Sequence, residues 1–220
     1  MSADNPSAPT DSHAVDRAMS GGDIATLYDD LADRYERWGW ANHLFSGPLR
    51  KRAFGDASGR VLDVACGTGT NIRYLPPTAQ LVGVDISDEM VEAARAELER
   101  LRRGGTVYRM DAQELQFPDD SFDTVVSALS TCTFPDPVAA LDEMARVCRP
   151  DGRVLLLEHG RSDVKFVGRY QNWRADAHYE RHGCRWTQDP LAHFEGVDLT
   201  VIESETLLLG MVTIIEARPA

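Results

Sequence analysis

The chain has 220 residues, 43% of them hydrophobic, with 23 basic side chains against 35 acidic ones and a formal net charge of −12. That length is one domain with enough interior to need no disulfide or metal staple. An acidic surface repels phosphate backbones and anionic headgroups, so nucleic-acid binding is not expected. Cys66, Cys132, Cys148 and Cys184 are far apart, without a C-x-x-C pair, and read as free thiols in a reducing compartment. The most apolar stretch, 207–215, is about half as long as a membrane-spanning helix, so no integral membrane segment is expected. The start of the chain lacks the charged and apolar regions of a signal peptide. A cytoplasmic monomer or homodimer is the resulting expectation.

Residues 1–22, rich in Ser, Ala, Pro, Asp and Gly and without periodicity, have the composition of a disordered tail. Ile24, Leu27, Tyr28, Leu31, Tyr35 and Trp38 recur at intervals of three and four, which predicts one amphipathic helix or two short ones over 23–40. A second helical stretch follows over 44–54. Apolar strands are predicted at 60–65, 81–85, 106–110, 122–128 and 153–158, separated by helical segments at 71–75, 87–103 and 137–148. Short continuous apolar strands alternating with helices argue a parallel sheet covered on both faces. A helix over 163–181 leads to two closely joined strands, 198–205 and 211–217, read as an antiparallel hairpin. The expected fold class is therefore α/β: a Rossmann-like, doubly wound, seven-stranded sheet, mostly parallel. Lid helices (23–56) would precede a cofactor core (60–160), a substrate-side insertion (161–197) and a closing hairpin (198–218).

VLDVACGTGTN, residues 61–71, is a strand running into a glycine turn and then a helix, where an α/β sheet binds a nucleotide-like ligand. Asp85 closes the next strand about 20 residues on, where an acid accepts the ribose hydroxyls. Asp63 lies beside the loop, where it would repel a dinucleotide's pyrophosphate and attract the ammonium and sulfonium of S-adenosylmethionine. The third position of a G-x-G-x-x-G pattern falls on Ile72, which also disfavours a dinucleotide. No G-K-[ST] follows, so a kinase-type phosphate loop is excluded.

With LDVACGTG, LVGVDIS, RMDAQELQFPDDSFDTVVS and ALDEMARVCRPDGRVLLLEH in place, the sequence resembles the class I S-adenosylmethionine-dependent methyltransferases over roughly residues 28–217. Ala65 stands where many members have the first glycine of the loop. The resemblance implies that Asp63, Ala65, Gly67 and Gly69 surround the methionine part, with Asp85 on the ribose and Ile86 and Met90 on the adenine face. Asp111 and Ala112 would reach the adenine edge, and Ser127 would floor the pocket below the sulfonium. LYDDLADRYERW resembles the lid helix of relatives, with Tyr28 over the cofactor and Tyr35 toward the substrate. For both tyrosines, packing of the helix on the sheet is the alternative. Met90 as a helix core residue and Asp111 as a helix cap are likewise open.

The substrate side is expected from the lid and from residues 155–190, whose Glu158-His159, aromatic helix and Gly183-Cys184 resemble Oms1-type fungal proteins and animal thiol methyltransferases. Quinone C-methyltransferases of the UbiE type share the cofactor half. A small-molecule acceptor is expected, either a thiol or a hydrophobic acceptor such as a quinone or lipid; a non-catalytic cofactor-binding assembly protein is a further alternative. A protein or RNA substrate is disfavoured by the charge and by Ser127-Ala128-Leu129-Ser130 where such enzymes carry [ND]-P-P-[YFW]. His159, at the carboxyl end of a strand, is the candidate general base or nucleophile-positioning group, against a structural histidine. Phe166, Tyr170, Trp173 and Ala177 form one helical stripe, read either as packing onto the sheet or as a pocket wall. Tyr170, Trp173 and Cys184 are the substrate-side candidates. A metal site from His178, His182 and Cys184 lacks a fourth ligand, so none is expected.

Overall fold

A computed structural model of the protein describes residues 18–37 and 39–220; the expected tail over 1–17, and Trp38 of the first helix, lie outside the described residues. Helices α1 (Gly21–Arg37) and α2 (Gly39–Phe54) precede a seven-stranded sheet. Its strands are β1 (Arg60–Val64), β2 (Gln80–Asp85), β3 (Gly105–Arg109), β4 (Phe122–Ala128), β5 (Cys148–His159), β6 (Leu199–Leu207) and β7 (Val212–Pro219). Helices α3 (Asp88–Arg100), α4 (Pro137–Val147) and α5 (Lys165–His182) connect them, with short 3-10 turns at Thr70–Arg73 and Pro190–Phe194. The order across the sheet is β3-β2-β1-β4-β5-β7-β6. β1 to β5 pair in parallel, while β7 enters antiparallel between β5 and β6. The α/β expectation and its closing hairpin are met. One expected helix, 71–75, is only a 3-10 turn, because the glycine loop consumes the residues a full turn would need.

Local chemistry sets the element boundaries. Ser87 caps α3 by accepting from the Met90 amide, and Asp136 caps α4 by accepting from Val138 and Ala139 while Pro137 opens the helix. α5 stops at Gly183, which takes the left-handed conformation and donates its amide to the Tyr179 carbonyl. Central strands β1 and β4 are buried nearly throughout, as strands covered on both faces must be. On one face Leu62, Val64, Phe122, Leu141 and Met144 share a core; on the other Phe54, Val61, Leu75, Val91 and Ala94 do.

The crossover from β1 leads to β2 on one side, and β4 lies on the other, so strand order reverses between β1 and β4. A crevice opens beyond the carboxyl ends of the strands at such a reversal. The loop there turns sharply: Ala65, Gly67 and Gly69 all have positive φ, at 53°, 54° and 76°. The two glycines differ in what surrounds them. A Cβ on Gly67 would meet nothing within 4 Å, whereas one on Gly69 would lie 2.7 Å from Ile72 Cδ1 and 3.2 Å from Ala94 Cα.

This contrast yields a paired prediction. Gly69→Ala should destabilise the fold by about 1–3 kcal/mol through strain and overlap with α3. Ala65→Gly should relieve backbone strain but loosen the unfolded chain, leaving stability within about 1 kcal/mol of the parent. Urea-unfolding midpoints of the two variants check both.

Candidate active site

A cavity of about 780 Å³ lies at the reversal point, walled by the glycine loop, the ends of β2, β4 and β5, helix α1 and the C-terminal end of α5. Ala65, Gly67, Asp85, Ile86, Met90, Asp111 and Ala112, which the sequence resemblance offered as cofactor residues, line this cavity together. Asp85 fixes the glycine loop, since its Oδ2 accepts the Gly67 amide at 2.8 Å while Oδ1 accepts the Ser87 amide at 3.1 Å. Burial raises its carboxyl above the usual range, opposed by those two amides. Asp111 Oδ1 accepts from the Gln113 amide at 2.9 Å, which is a cap-like bond, yet the residue still faces the cavity.

Asp63, Gly69 and Ser127 sit differently from the expectation, each outside the cavity lining. Gly69 is turned onto α3. Ser127 is fully buried, donating to the Val64 carbonyl at 2.7 Å and bonded to Ser130, so Ala128, Leu129 and Ser130 form the wall at the end of β4. Asp63 stands one side chain behind the wall: its Oδ1 accepts from Asn71 Nδ2 at 2.8 Å. The Asn71 carboxamide oxygen in turn accepts from Arg50, a buried cation on α2. Arg50 and Asn71 both line the cavity, and sequence reasoning missed them. Arg50 lay in an unremarkable helix, and no local pattern marks a cation that packing will bury. Asp63 Oδ2 is buried with no partner among the described residues. Burial pushes its carboxyl up to about 7, against the lowering effects of Asn71 and Arg50.

The lid is α1. It begins at Gly21, so residues 18–22 belong to the folded part and not to a tail: the Met19 amide donates to Tyr179 Oη at 2.9 Å, and a Cβ on Gly21 would lie 3.1 Å from Asp111 Oδ2. Asp29 clamps the lid to the N-terminus of α3, where Ser87 Oγ donates to it at 2.6 Å and the Glu89 amide at 3.3 Å. Tyr28 and Tyr35 stack with centroids 6.1 Å apart, and both line the cavity. Tyr28 also donates to the His182 carbonyl at 3.2 Å, tying the lid to α5.

At the far side from Asp85, the cavity wall carries His159, His178, His182 and Cys184. His159 Nε2 lies 3.3 Å from Cys184 Sγ and 3.5 Å from Cys132 Sγ. The Cys132 thiol donates toward Cys184 and His159 adds positive charge, which together hold the Cys184 thiol well below its ordinary value despite burial. Burial alone would lower His159, but the adjoining Cys184 and Glu158 outweigh it and raise the imidazole. Sequence reading singled out His159 and Cys184 separately and gave no sign that Cys132 joins them.

The aromatic stripe of α5 is neither core nor pocket wall. Phe166 and Trp173 are about three-quarters exposed, at 76% and 74%, and Tyr170 is 55% exposed; none lines the cavity. The helix is held instead by Gln171, which accepts from the Ser162 amide at 2.7 Å and donates to the Gly160 carbonyl at 3.1 Å. That contact rotates the stripe outward, so Tyr170 and Trp173 are corrected from substrate residues to surface residues.

Known proteins resemble this chain in sequence and fold. The family model described as "Methyltransferase domain" matches residues 62–156. A phosphatidylethanolamine N-methyltransferase of Cereibacter sphaeroides is 34% identical over 171 residues, covering 70% of this chain and 84% of that protein. The mitochondrial methyltransferase Oms1 of Saccharomyces cerevisiae is 30% identical over 217 residues, 89% of this chain, which spans 46% of the yeast protein's length. The YcgJ protein of Bacillus subtilis has a TM-score of 0.60 at 27% identity, covering 75% of this chain and 73% of that one. The chain belongs to the class I S-adenosylmethionine-dependent methyltransferases, and S-adenosylmethionine is its cofactor. No described helix is long and apolar enough to cross a membrane.

The site fits that cofactor on its own terms. Asp63 Oδ2 is a buried acceptor awaiting a donor, and Gly67 leaves open space where any side chain would stand. Because the folded carboxyl of Asp63 is raised from 3.8 to about 7, it is protonated at mildly acid pH in the cofactor-free protein. A cationic ligand favours the carboxylate, so binding below about pH 7 must displace a proton. Cofactor affinity is therefore expected to rise between about pH 5.5 and 7.5 and then level off, and Asp63→Asn should flatten that rise. Titration calorimetry in two buffers of different ionisation enthalpy measures the proton release.

Proposed function

We propose that the enzyme methylates a small, largely apolar acceptor through a thiol, using an in-line displacement in which acceptor sulfur and departing sulfonium lie on opposite sides of the methyl carbon. The observation that carries this reading is the His159–Cys132–Cys184 cluster at the end of the cavity away from Asp85. Ile24, Phe45, Met110, Leu129 and Phe134 line the same cavity, which suits an apolar acceptor body.

In this reading the cofactor supplies an electrophilic methyl group, and the chain's residues orient both reactants. Asp63 and Arg50 take opposite charges of the amino-acid end, ammonium and carboxylate respectively, through the Asn71 junction between them. Asp85 accepts from the ribose hydroxyls with the oxygen capacity its two backbone donors leave. Ile86, Met90, Asp111 and Ala112 hold the adenine. Tyr28 and Tyr35 close the lid and exclude water, so the dispersing charge of the transition state is formed in a drier site. His159 and its sulfur neighbours receive the acceptor's head group and set its ionisation, since a thiolate attacks and a thiol does not.

The relative named as a phosphatidylethanolamine N-methyltransferase favours a second reading, an aminolipid acceptor entering the same apolar cavity. The two diverge in their dependence on His159. With a short-chain alkyl thiol as acceptor, His159→Ala should lower turnover about 100-fold, within the usual range for a proton-handling group, and leave cofactor affinity unchanged. A panel of alkyl thiols, demethylquinones and aminolipids, read by mass spectrometry of the methylated products, decides between acceptors. Methylation confined to the aminolipid would replace the thiol reading. Arg50→Leu should have the opposite signature, weakening cofactor binding by about 1–3 kcal/mol in direct titration.

A further inference from the structure

We infer that Cys132, His159 and Cys184 form a three-ligand site for a zinc-like divalent cation whose fourth position opens into the methyl-transfer cavity. The geometry carries the inference. For tetrahedral zinc with Zn–S near 2.3 Å and Zn–N near 2.0–2.1 Å, sulfur and nitrogen ligands stand about 3.5 Å apart and two sulfurs about 3.8 Å apart. Here His159 Nε2 is 3.3 Å from Cys184 Sγ and 3.5 Å from Cys132 Sγ, and the three ligand atoms all lie within 4.8 Å of one another. Two cysteines and one histidine from three separate segments converge on one point.

Those segments are held in place by bonds that do not involve the three ligand side chains. The Arg185 amide donates to the Cys132 carbonyl at 2.9 Å, linking the chain beside Cys184 to Cys132. Glu158 Oε1 accepts the Ser130 and Thr131 amides, each at 3.3 Å, which fixes the turn carrying Cys132 against the strand carrying His159. Glu158 Oε2 is buried with no partner among the described residues, in the residue just before His159. Such support around a metal's ligands orients them. Cys132 is 1% exposed and lies outside the cavity lining, whereas His159 and Cys184 line it, so the open side of the set is toward the cavity.

Three protein ligands with an open fourth position define a working site and not a structural one, which would close with four. The thiol acceptor, on the reading above on which this role rests, would enter that position. Its S–H proton leaves to solvent as the sulfur binds the cation as thiolate. A thiolate lone pair then forms the new S–CH3 bond while the C–S bond of the sulfonium breaks, its electron pair remaining on the cofactor sulfur. The products are a neutral thioether and S-adenosylhomocysteine, with no oxidant or reductant consumed. The thioether has lost its negative charge, binds the cation weakly and departs.

The test separates the metal site from the acceptor. Full-length reduced protein is stripped with chelator and titrated with Co2+ as a spectroscopic stand-in for Zn2+, followed by competition with Zn2+. About one equivalent should bind, with thiolate-to-cobalt charge transfer and tetrahedral visible bands. Cys132→Ser and Cys184→Ser should each weaken binding by at least about 100-fold, whereas Cys148→Ser, at the other end of β5, should bind like the parent. Butanethiol should shift the visible bands of the cobalt protein as sulfur enters the open position. Absence of stoichiometric metal, or equal binding by the cysteine variants, overturns the site. Metal bound without a band shift on thiol addition overturns its proposed role. Thiol methylation at full rate by metal-free protein would do the same while leaving the thiol reading intact.

Discussion

Two carboxylates, Asp63 and Asp85, are buried near the carboxyl ends of adjacent parallel strands, and the surrounding structure is arranged around that constraint. Burial raises both carboxyls; the nearby Asp85 adds to the rise at Asp63, and Asp29 adds to the rise at Asp85. For Asp63 the shift to about 7 corresponds to a destabilisation on the order of 4 kcal/mol once the group is ionised at higher pH. The sign follows from the raised folded value: the destabilisation is absent below about pH 4, where the group is protonated folded or unfolded, and reaches its full size as pH rises through about 7. A cationic cofactor reverses part of that destabilisation. The glycine loop is pinned by its Gly67 amide to Asp85, and the Arg50–Asn71 pair stands beside Asp63, so each buried acid holds neighbouring polar groups in place.

The lid depends on the same edge of the sheet. Asp29 shares the N-terminus of α3 with Ser87, which follows Asp85 by two residues and donates its amide to it. Helix α1 and the Asp85 carboxylate are thus joined by one short hydrogen-bonded path. On its other flank the lid meets α5 through Tyr28 and the His182 carbonyl, with Gly183 close against Ile24. A single helix therefore spans both halves of the cavity, the end carrying Asp85 and the end carrying His159 and Cys184.

The acidity of the chain acquires a more specific meaning in this setting. Most of the excess acid is solvated surface or pairs with arginine in exposed bridges such as Arg73–Glu97 and Arg149–Asp123, which contribute little each. Among the described residues the buried carboxyls are Asp63, Asp85 and Glu158, all near the carboxyl ends of strands. Of these, Asp63 and Glu158 each keep one oxygen without a partner among the described residues.

The strands along the chain, the glycine turn and the pair of acids were legible in the sequence because each is written locally, in runs of apolar residues, glycine-rich turn residues and a fixed spacing of about 20 residues. The face a residue presents was not. Ser127 and Gly69 carry the right types at the right places, yet one bonds inward to Val64 and the other packs on α3. The α5 stripe has helical period, but period gives the angle between residues and not the rotation of the helix, which Gln171 decides by its contacts with Ser162 and Gly160. Arg50 became a cavity residue only when α2 docked over the 3-10 turn, and Cys132 met His159 and Cys184 only when three distant segments were folded together. The sequence by itself determined the fold and the cofactor, since both follow from short-range pattern. Tertiary structure alone decided which side chains share the reacting end of the cavity, because that depends on contacts between residues tens of positions apart.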